Sequence, residues 1–303
     1  MGNCYFLKLK NQINIPSLIM RYQRNLKAFS LLELSISLLV LTTLLVFVAK
    51  GSQMLNKARV ISAQSLTRSS PIPRISNLVV WYETTMKDSF SKKDVMSKTV
   101  KTWYNLNPII KNNNATAGTA PSYKTKTING LPAVVFNGNS QYLNYIGTAL
   151  VQSDYTVFVV EQRSDNANSS YFMGGTATDS NSNLSLGYKS NTSLTFAQYS
   201  NDYDITVSGY MSPKPLIHTF RFSSAIGKNY YSNGVNKTLI ASGSAASTTV
   251  LTSYAGAQIG RRLTTQYYNG SIGEIIIFNK YLNNDERVDV EKYLSKKWKI
   301  DLS

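Results

Sequence analysis

The sequence reads as an all-β soluble domain carried behind a long N-terminal α-helix. Three observations predict this. An uncharged apolar run lies near the N-terminus, a proline-rich break follows residue 68, and beyond it come short strand-like runs between Asn/Gly/Ser turns. No strand–helix alternation appears there, so the strands are expected to form an antiparallel two-sheet sandwich.

The helix comes first. Phe29 to Ala49 is a run of 21 residues in which Glu33 alone is charged. At about 1.5 Å of rise per residue, such a helix just spans a hydrocarbon core about 30 Å thick. An unpaired acid at depth costs about 3 kcal/mol, so Glu33 is expected to reach the interface or to have a partner. Lys50 to Leu66 holds only one breaker, Gly51, and Met54, Leu55, Ala58, Ile61 and Leu66 keep a helical stripe. One helix is therefore expected over residues 29–68, with the transmembrane part at about 29–49. Ser69-Ser70-Pro71-Ile72-Pro73 ends it, because neither proline can donate a backbone hydrogen bond; residues 69–76 read as a linker.

The residues around Glu33 carry a resemblance. A basic, acid-free leader, then Lys27-Ala28, then Phe29 with Glu33 four positions on, resembles the processing site of type IV prepilins and pseudopilins. The resemblance implies cleavage between Ala28 and Phe29 by a prepilin peptidase, which removes residues 1–28. It also implies methylation of the new amine and filament assembly in which the Phe29 amine of one subunit meets Glu33 of the next. The family usually has Gly where Ala28 stands. The leader has 28 residues from Met1 and nine from Met20, and both starts stay open. A secretory signal fits poorly, since cleavage after Ala49 would put bulky Phe47 three residues before the cut. The implied location is the bacterial inner membrane, single-pass, with the C-terminal domain periplasmic or extracellular on a filament.

The β part follows in order. Tyr155 to Val160 and Ile275 to Phe278 are apolar on both faces, as strands between two layers are. Tyr230-Tyr231-Ser232-Asn233-Gly234-Val235 places Asn-Gly between strand formers, a two-residue hairpin signal. Asn283 or Asn284 can cap a helix over about 284–298. Val290, Tyr293, Leu294 and Trp298 fall on its one apolar face. Leu78-Val79-Val80-Trp81-Tyr82-Glu83, the block Asn129 to Gly138 and the closing Gly270 to Asn279 are similar to the laminin-G-like, concanavalin A-like jelly rolls. That resemblance covers residues 77–303 and implies a lectin-like jelly roll.

Composition then bounds the function. Formal net charge is +16, or +11 without the five leader cations. The lysines are scattered and no arginine-rich run appears, so nucleic acid is not expected as a partner. The only cysteine, Cys4, lies in the leader, which excludes a disulfide framework or thiolate metal site after processing. Glycan hydrolysis needs two carboxylates about 5 to 10 Å apart. Glu274 is followed by Ile275-Ile276-Ile277-Phe278 with no second acid. Asp202 and Asp204 alternate, but in a Tyr/Ser/Asn-rich stretch that reads equally well as an exposed hairpin. His218 is the only histidine and is expected to be a hydrogen-bonded strand residue. No cofactor is expected; calcium stays open, with Asp154, Asp202 and Asp204 as donors and Asp165 as a further one. Tyr199, Tyr203, Tyr267 and Tyr268 fall in expected loops and are the candidates for stacking on a sugar, though tyrosine is also an ordinary strand and rim residue.

The sequence expectation is thus a non-enzymatic minor pilin or pseudopilin of a type IV pilus or type II secretion-type filament. Its partners would be the prepilin peptidase, other pilin or pseudopilin subunits, the membrane, and a glycan or surface protein held by the lectin-like domain. Two alternatives stand beside it: a structural pseudopilin without ligand, and a membrane-anchored glycan-active enzyme.

Overall fold

The computed structural model describes residues 30–206, 213–236, 241–243 and 247–302. Ala28 and Phe29, with the rest of the leader, lie outside the described residues. The chain forms two compact units, Met1–Gly51 and Ser52–Ser303.

In the first unit the helix α1 (Leu31–Arg68) begins at Ser30. Ser30 and Glu33 form a reciprocal capping box: the Ser30 amide donates to Glu33 Oε2 (2.9 Å), and the Glu33 amide donates to Ser30 Oγ (3.1 Å). This satisfies two of the free donors at the helix start and sets an anion at the positive end of the dipole. The following apolar side chains, Leu31 to Val48, are exposed, and the helix is long and apolar enough to cross a membrane.

The second unit is mostly sheet. Its first strands are β1 (Leu78–Glu83), β2 (Thr102–Trp103), β3 (Ala115–Thr119), β4 (Ser122–Ile128), β5 (Leu131–Asn137) and β6 (Tyr142–Asn144). Then come β7 (Tyr155–Arg163), β8 (Ser170–Gly174), β9 (Ser185–Ser190), β10 (Ser193–Ala197), β11 (Asp202–Thr206), β12 (Pro215–Ser223) and β13 (Gly227–Ser232). The last are β14 (Val235–Asn236), β15 (Ala241–Gly243), β16 (Gln258–Ile259), β17 (Arg261–Arg262), β18 (Gln266–Tyr267) and β19 (Asn269–Phe278). A short helix, α2 (Lys92–Ser97), follows β1, and α3 (Asn284–Trp298) closes the chain. α3 is capped by Asn283, whose side chain accepts from the Glu286 amide while Glu286 returns to the Asn283 amide.

An eight-stranded antiparallel sheet runs β14-β13-β12-β7-β19-β5-β4, with β1 also paired to β19. A nine-stranded sheet runs β15-β11-β10-β9-β8-β16-β6-β3-β2. One apolar cluster takes Val157 and Val159 of β7 and Ile275 and Ile277 of β19 together with Phe172, Leu186, Leu194, Phe196 and Leu143 of the nine-stranded sheet. The alternate residues Phe158, Val160, Ile276 and Phe278 join Ala63 of α1 and Val290, Leu294 and Trp298 of α3 in a second cluster. That is why β7 and β19 are apolar on both faces. Each such side chain contributes about 1.5–3 kcal/mol on burial.

The strands do not follow the concanavalin A-like jelly roll expected from the sequence. β19 is ten residues long, and its two halves take different neighbours: Asn269 to Ile272 pair with β5, and Glu274 to Phe278 pair with β1. A separate two-stranded ribbon, β17–β18, lies outside both sheets. The architecture is a mostly-sheet domain with an N-terminal helix.

Candidate functional site

The ribbon defines the site. It packs against β8 where Gly174 has no side chain: a Cβ there would stand 2.7 Å from the Arg261 carbonyl oxygen and the Arg262 Cα. In the strands beneath, side chains alternate between the core and the opposite face. Leu186, Leu194, Phe196 and Tyr203 point to the core. Ser185, Thr195, Asp202 and Asp204, at the alternate positions of the same strands, fall on the other face.

Arg261 and Arg262 anchor the ribbon to that face, one to each side. The Arg261 guanidinium lies 3.4 Å from the Tyr142 ring centroid and 5.7 Å from that of Tyr267. Its Nε donates to Gln258 Oε1 (2.9 Å) and its Nη1 to the Tyr267 hydroxyl (3.4 Å). Arg262 sits 5.0 Å from the Tyr171 centroid and 5.4 Å from that of Tyr199. Its Nε donates to Ser185 Oγ (2.9 Å) and its Nη1 to Gln266 Oε1 (2.8 Å). Both arginines are half-buried and hold only neutral oxygens and rings; among the described residues neither forms an ion pair. A guanidinium has five N–H donors, so each keeps donors for a ligand.

An acidic side of the same face lies over β9–β11. Asp204 accepts from Lys189 Nζ (2.5 Å) and from Thr195 Oγ1. Asp202 Oδ1 is buried with no hydrogen-bond partner. Burial raises the pKa of Tyr171, opposed first by Arg262 and reinforced by Asp202, which places that hydroxyl among these charges.

The expected site residues divide accordingly. Tyr199 and Tyr267 stand half-buried on this face, each beside one ribbon arginine. Tyr203 and Tyr268 do not lie in loops open to a ligand, because both are fully buried in the core. Asp202 and Asp204 share a face, whereas Asp154 lies just ahead of β7 and accepts from the Ser224 amide (2.7 Å). Asp165 bonds the Ala167 amide (3.0 Å) and Asn269. The calcium donors are thus not gathered, and among the described residues no three His, Cys, Asp or Glu side chains cluster as a metal site.

Two buried polar centres were not foreseen from the sequence. In the core, Glu161 accepts from Tyr188 (2.6 Å), His218 Nε2 (2.9 Å) and the Tyr268 hydroxyl, while His218 Nδ1 meets Tyr230 (2.7 Å). Burial, then the Glu161 charge, raises the Tyr188 and Tyr268 hydroxyls well above 10. Against α3, Glu83 and Glu274 stand directly opposite each other on β1 and β19. Glu83 is therefore the second acid that local sequence around Glu274 does not show. Lys297 Nζ bridges the two carboxylates at 2.8 Å to each. Trp81 (2.7 Å), Tyr293 (2.8 Å) and Trp298 (2.8 Å) complete the bonds to Glu274. Burial alone would raise Glu83, but Lys297, with bonds from Ser89 and Thr85, holds its carboxyl below the ordinary value. Burial likewise opposes the Lys297 charge, and Glu274 and Glu83 outweigh it, raising the ammonium. This centre is sealed and fully bonded, so it holds β1, β19 and α3 together.

No protein-family model matches the chain, and no curated protein does. Solved structures do. Domain 4 of AbnA, a GH43 extracellular arabinanase from Geobacillus stearothermophilus solved with arabinotriose, is 19% identical, with a TM-score of 0.50 over 71% of this chain and 98% of that one. A Trypanosoma rangeli sialidase is 14% identical, with a TM-score of 0.51 over 81% of this chain and 39% of that one. An arabinofuranosidase complexed with arabinofuranosyl-α-1,2-xylobiose is 13% identical, with a TM-score of 0.51 over 68% of this chain and 53% of that one. The chain thus spans nearly all of the arabinanase domain, but well under two thirds of the other two.

At these identities the likeness is one of fold alone, a mostly-sheet domain similar to those of these three proteins, and it replaces the concanavalin A-like assignment. The same neighbours overturn the expectation of a non-enzymatic pilin or pseudopilin, since all three belong to carbohydrate-active enzymes.

Proposed function

We propose that this chain is a membrane-anchored, glycan-active protein, with the face beneath the ribbon as its saccharide-binding surface. The observation that carries the reading is the pair of arginine–tyrosine stacks, Arg261 with Tyr142 and Tyr267, and Arg262 with Tyr171 and Tyr199. The half-buried Tyr199 and Tyr267 rings would receive the apolar face of a sugar, and the unspent guanidinium donors, with Gln266, would bond its oxygens. The arabinanase domain bound to arabinotriose supports the reading by analogy of fold. Titration of the full chain in detergent micelles with a panel of neutral and acidic oligosaccharides tests it. Binding that weakens with Tyr267→Ala and Tyr199→Ala supports the assignment; no binding across the panel refutes it.

Hydrolysis is the second reading, favoured by Asp202 and Asp204. Alternate positions on β11 put both side chains on one face of the strand, as a paired-carboxylate mechanism requires. Asp204, held by Lys189, would serve as the anionic member, and Asp202 as its partner. Release of reducing ends from a bound oligosaccharide, abolished by Asp202→Asn and by Asp204→Asn, is the measurement.

The leader motif adds a maturation limb to the proposal. Cleavage at Ala28/Phe29 by a prepilin peptidase would leave a single-pass protein of the bacterial inner membrane with its β-domain outside. Glu33 would then be available to the Phe29 amine of a neighbouring pilin-like subunit. Intact-mass analysis in cells with and without the peptidase checks the first step. Crosslinking of Glu33→Ala against the parent chain checks the second.

A further inference from the structure

We infer that the ligand of this face is an acidic saccharide, and that Arg261 is the group that selects it. The inference rests on the saccharide-binding reading above and deepens it.

Among the described residues Arg261 pairs with no anion. Its neighbours are the Tyr142 and Tyr267 rings, the Gln258 and Tyr267 oxygens and, one bond further, Asn144, whose Oδ1 accepts from Gln258 Nε2 (3.3 Å). All are neutral. Elsewhere in the β-domain, Lys297 has two carboxylates and Arg287 has Glu291, whereas the buried Lys228 and Arg221 rest on neutral oxygens away from any open face. Asp202 and Asp204 lie over β9–β11 on the Arg262 side, where Lys189 bonds Asp204, and Asp165, near the ribbon's end, is taken up by Asn269 and the Ala167 amide.

The guanidinium is also held in place. Tyr142 lies directly on Gly118, where any side chain would displace its ring. Gln258 fixes the Nε edge. The two Nη groups therefore keep a set orientation with donors unspent, the geometry that binds a planar carboxylate in two parallel bonds. The half-buried Tyr267 ring beside it provides stacking for the sugar that carries the acid. A net charge of +16 adds long-range attraction for anions. A neutral sugar would use only the stacking and leave the charge unmatched.

The test compares two ligands that differ in charge alone. Full-length protein in detergent micelles is titrated with trigalacturonate and with its fully methyl-esterified form. The acid is expected to bind about tenfold or more tightly than the ester, the scale of a charge-assisted bidentate pair. That preference should shrink several-fold between about 50 and about 200 mM salt, while ester binding stays flat. R261Q is expected to bring acid and ester to parity. Equal binding of acid and ester by the parent chain overturns the inference and leaves the saccharide reading standing. A preference that survives R261Q overturns the assignment to Arg261. Failure of both ligands, and of neutral arabinotriose in the same assay, overturns the saccharide reading itself.

Discussion

Two charged regions of the β-domain are built on opposite terms. Around Lys297, one cation meets two carboxylates, and Trp81, Tyr293 and Trp298 bond the Glu274 carboxylate. Around Arg261 and Arg262, two cations meet no carboxylate, and rings and neutral oxygens steady them. In a sealed site an unmatched charge is strongly unfavourable, and around Lys297 every charge has its counter-charge. At a half-exposed site water completes the shell, so charge can be held ready for something else. Completeness of bonding thus separates the part that holds the fold from the part that meets a ligand.

The largest expected effect breaks the sealed region. Lys297→Met leaves Glu83 and Glu274 facing each other without a cation, and should cost about 3–5 kcal/mol in denaturant unfolding. An effect under about 1 kcal/mol would mean that the centre does not carry the junction of β1, β19 and α3.

Next comes Lys228, a buried lysine bonded to the Asn201 carbonyl (2.7 Å) and side chain (2.8 Å) but in no ion pair among the described residues. Burial pushes its pKa down to about 8. The unfolded chain then binds more protons than the folded one between about pH 8 and about pH 10.4, so this group makes stability rise with pH across that window. The gain is up to about 3 kcal/mol and should be absent from Lys228→Met when the two unfolding-versus-pH curves are compared. Coincident slopes would refute it.

Tyr268→Phe removes one donor from buried Glu161 and should destabilise by about 1–3 kcal/mol. Double-mutant cycles with Tyr188→Phe would show whether the two hydroxyls act on that carboxylate as a unit. Smallest in stability is Tyr267→Ala on the ribbon. Its unfolding midpoint should move by no more than about 0.5 kcal/mol equivalent, while saccharide affinity drops about two- to tenfold through lost stacking. A stability loss as large as that of Lys297→Met would erase the contrast between the two regions.

What the sequence displayed was local. Asn233 and Gly234 both take positive φ (48° and 80°) between β13 and β14, the turn that their dipeptide announces. The runs of β7 and β19 face two clusters, as their unbroken apolarity implies. His218 is a hydrogen-bonded strand residue. What stayed hidden depends on pairing across long separations. Glu83 and Glu274 become neighbours only when β1 meets β19, and Lys297 reads in sequence as a cation at a helix end. Tyr267 and Tyr268 are adjacent, so one must face away from the other, and nothing local says which; a one-residue shift in register exchanges them. The ribbon arginines gave no signal because their stacking rings come from Tyr142, Tyr171 and Tyr199, on other elements.

The split pairing of β19 governs the order in which its sheet can close. This strand sits at the middle of its sheet, between β7 on one edge and both β5 and β1 on the other, yet it lies far along the chain from β1 and β5. A nascent chain halted before Asn269 leaves β1 without the neighbour it pairs with and β7 with only β12 beside it. Contacts of such long range form slowly. The sheet therefore stays open until β19 is in place, and β1, β5 and β7 close onto that one strand.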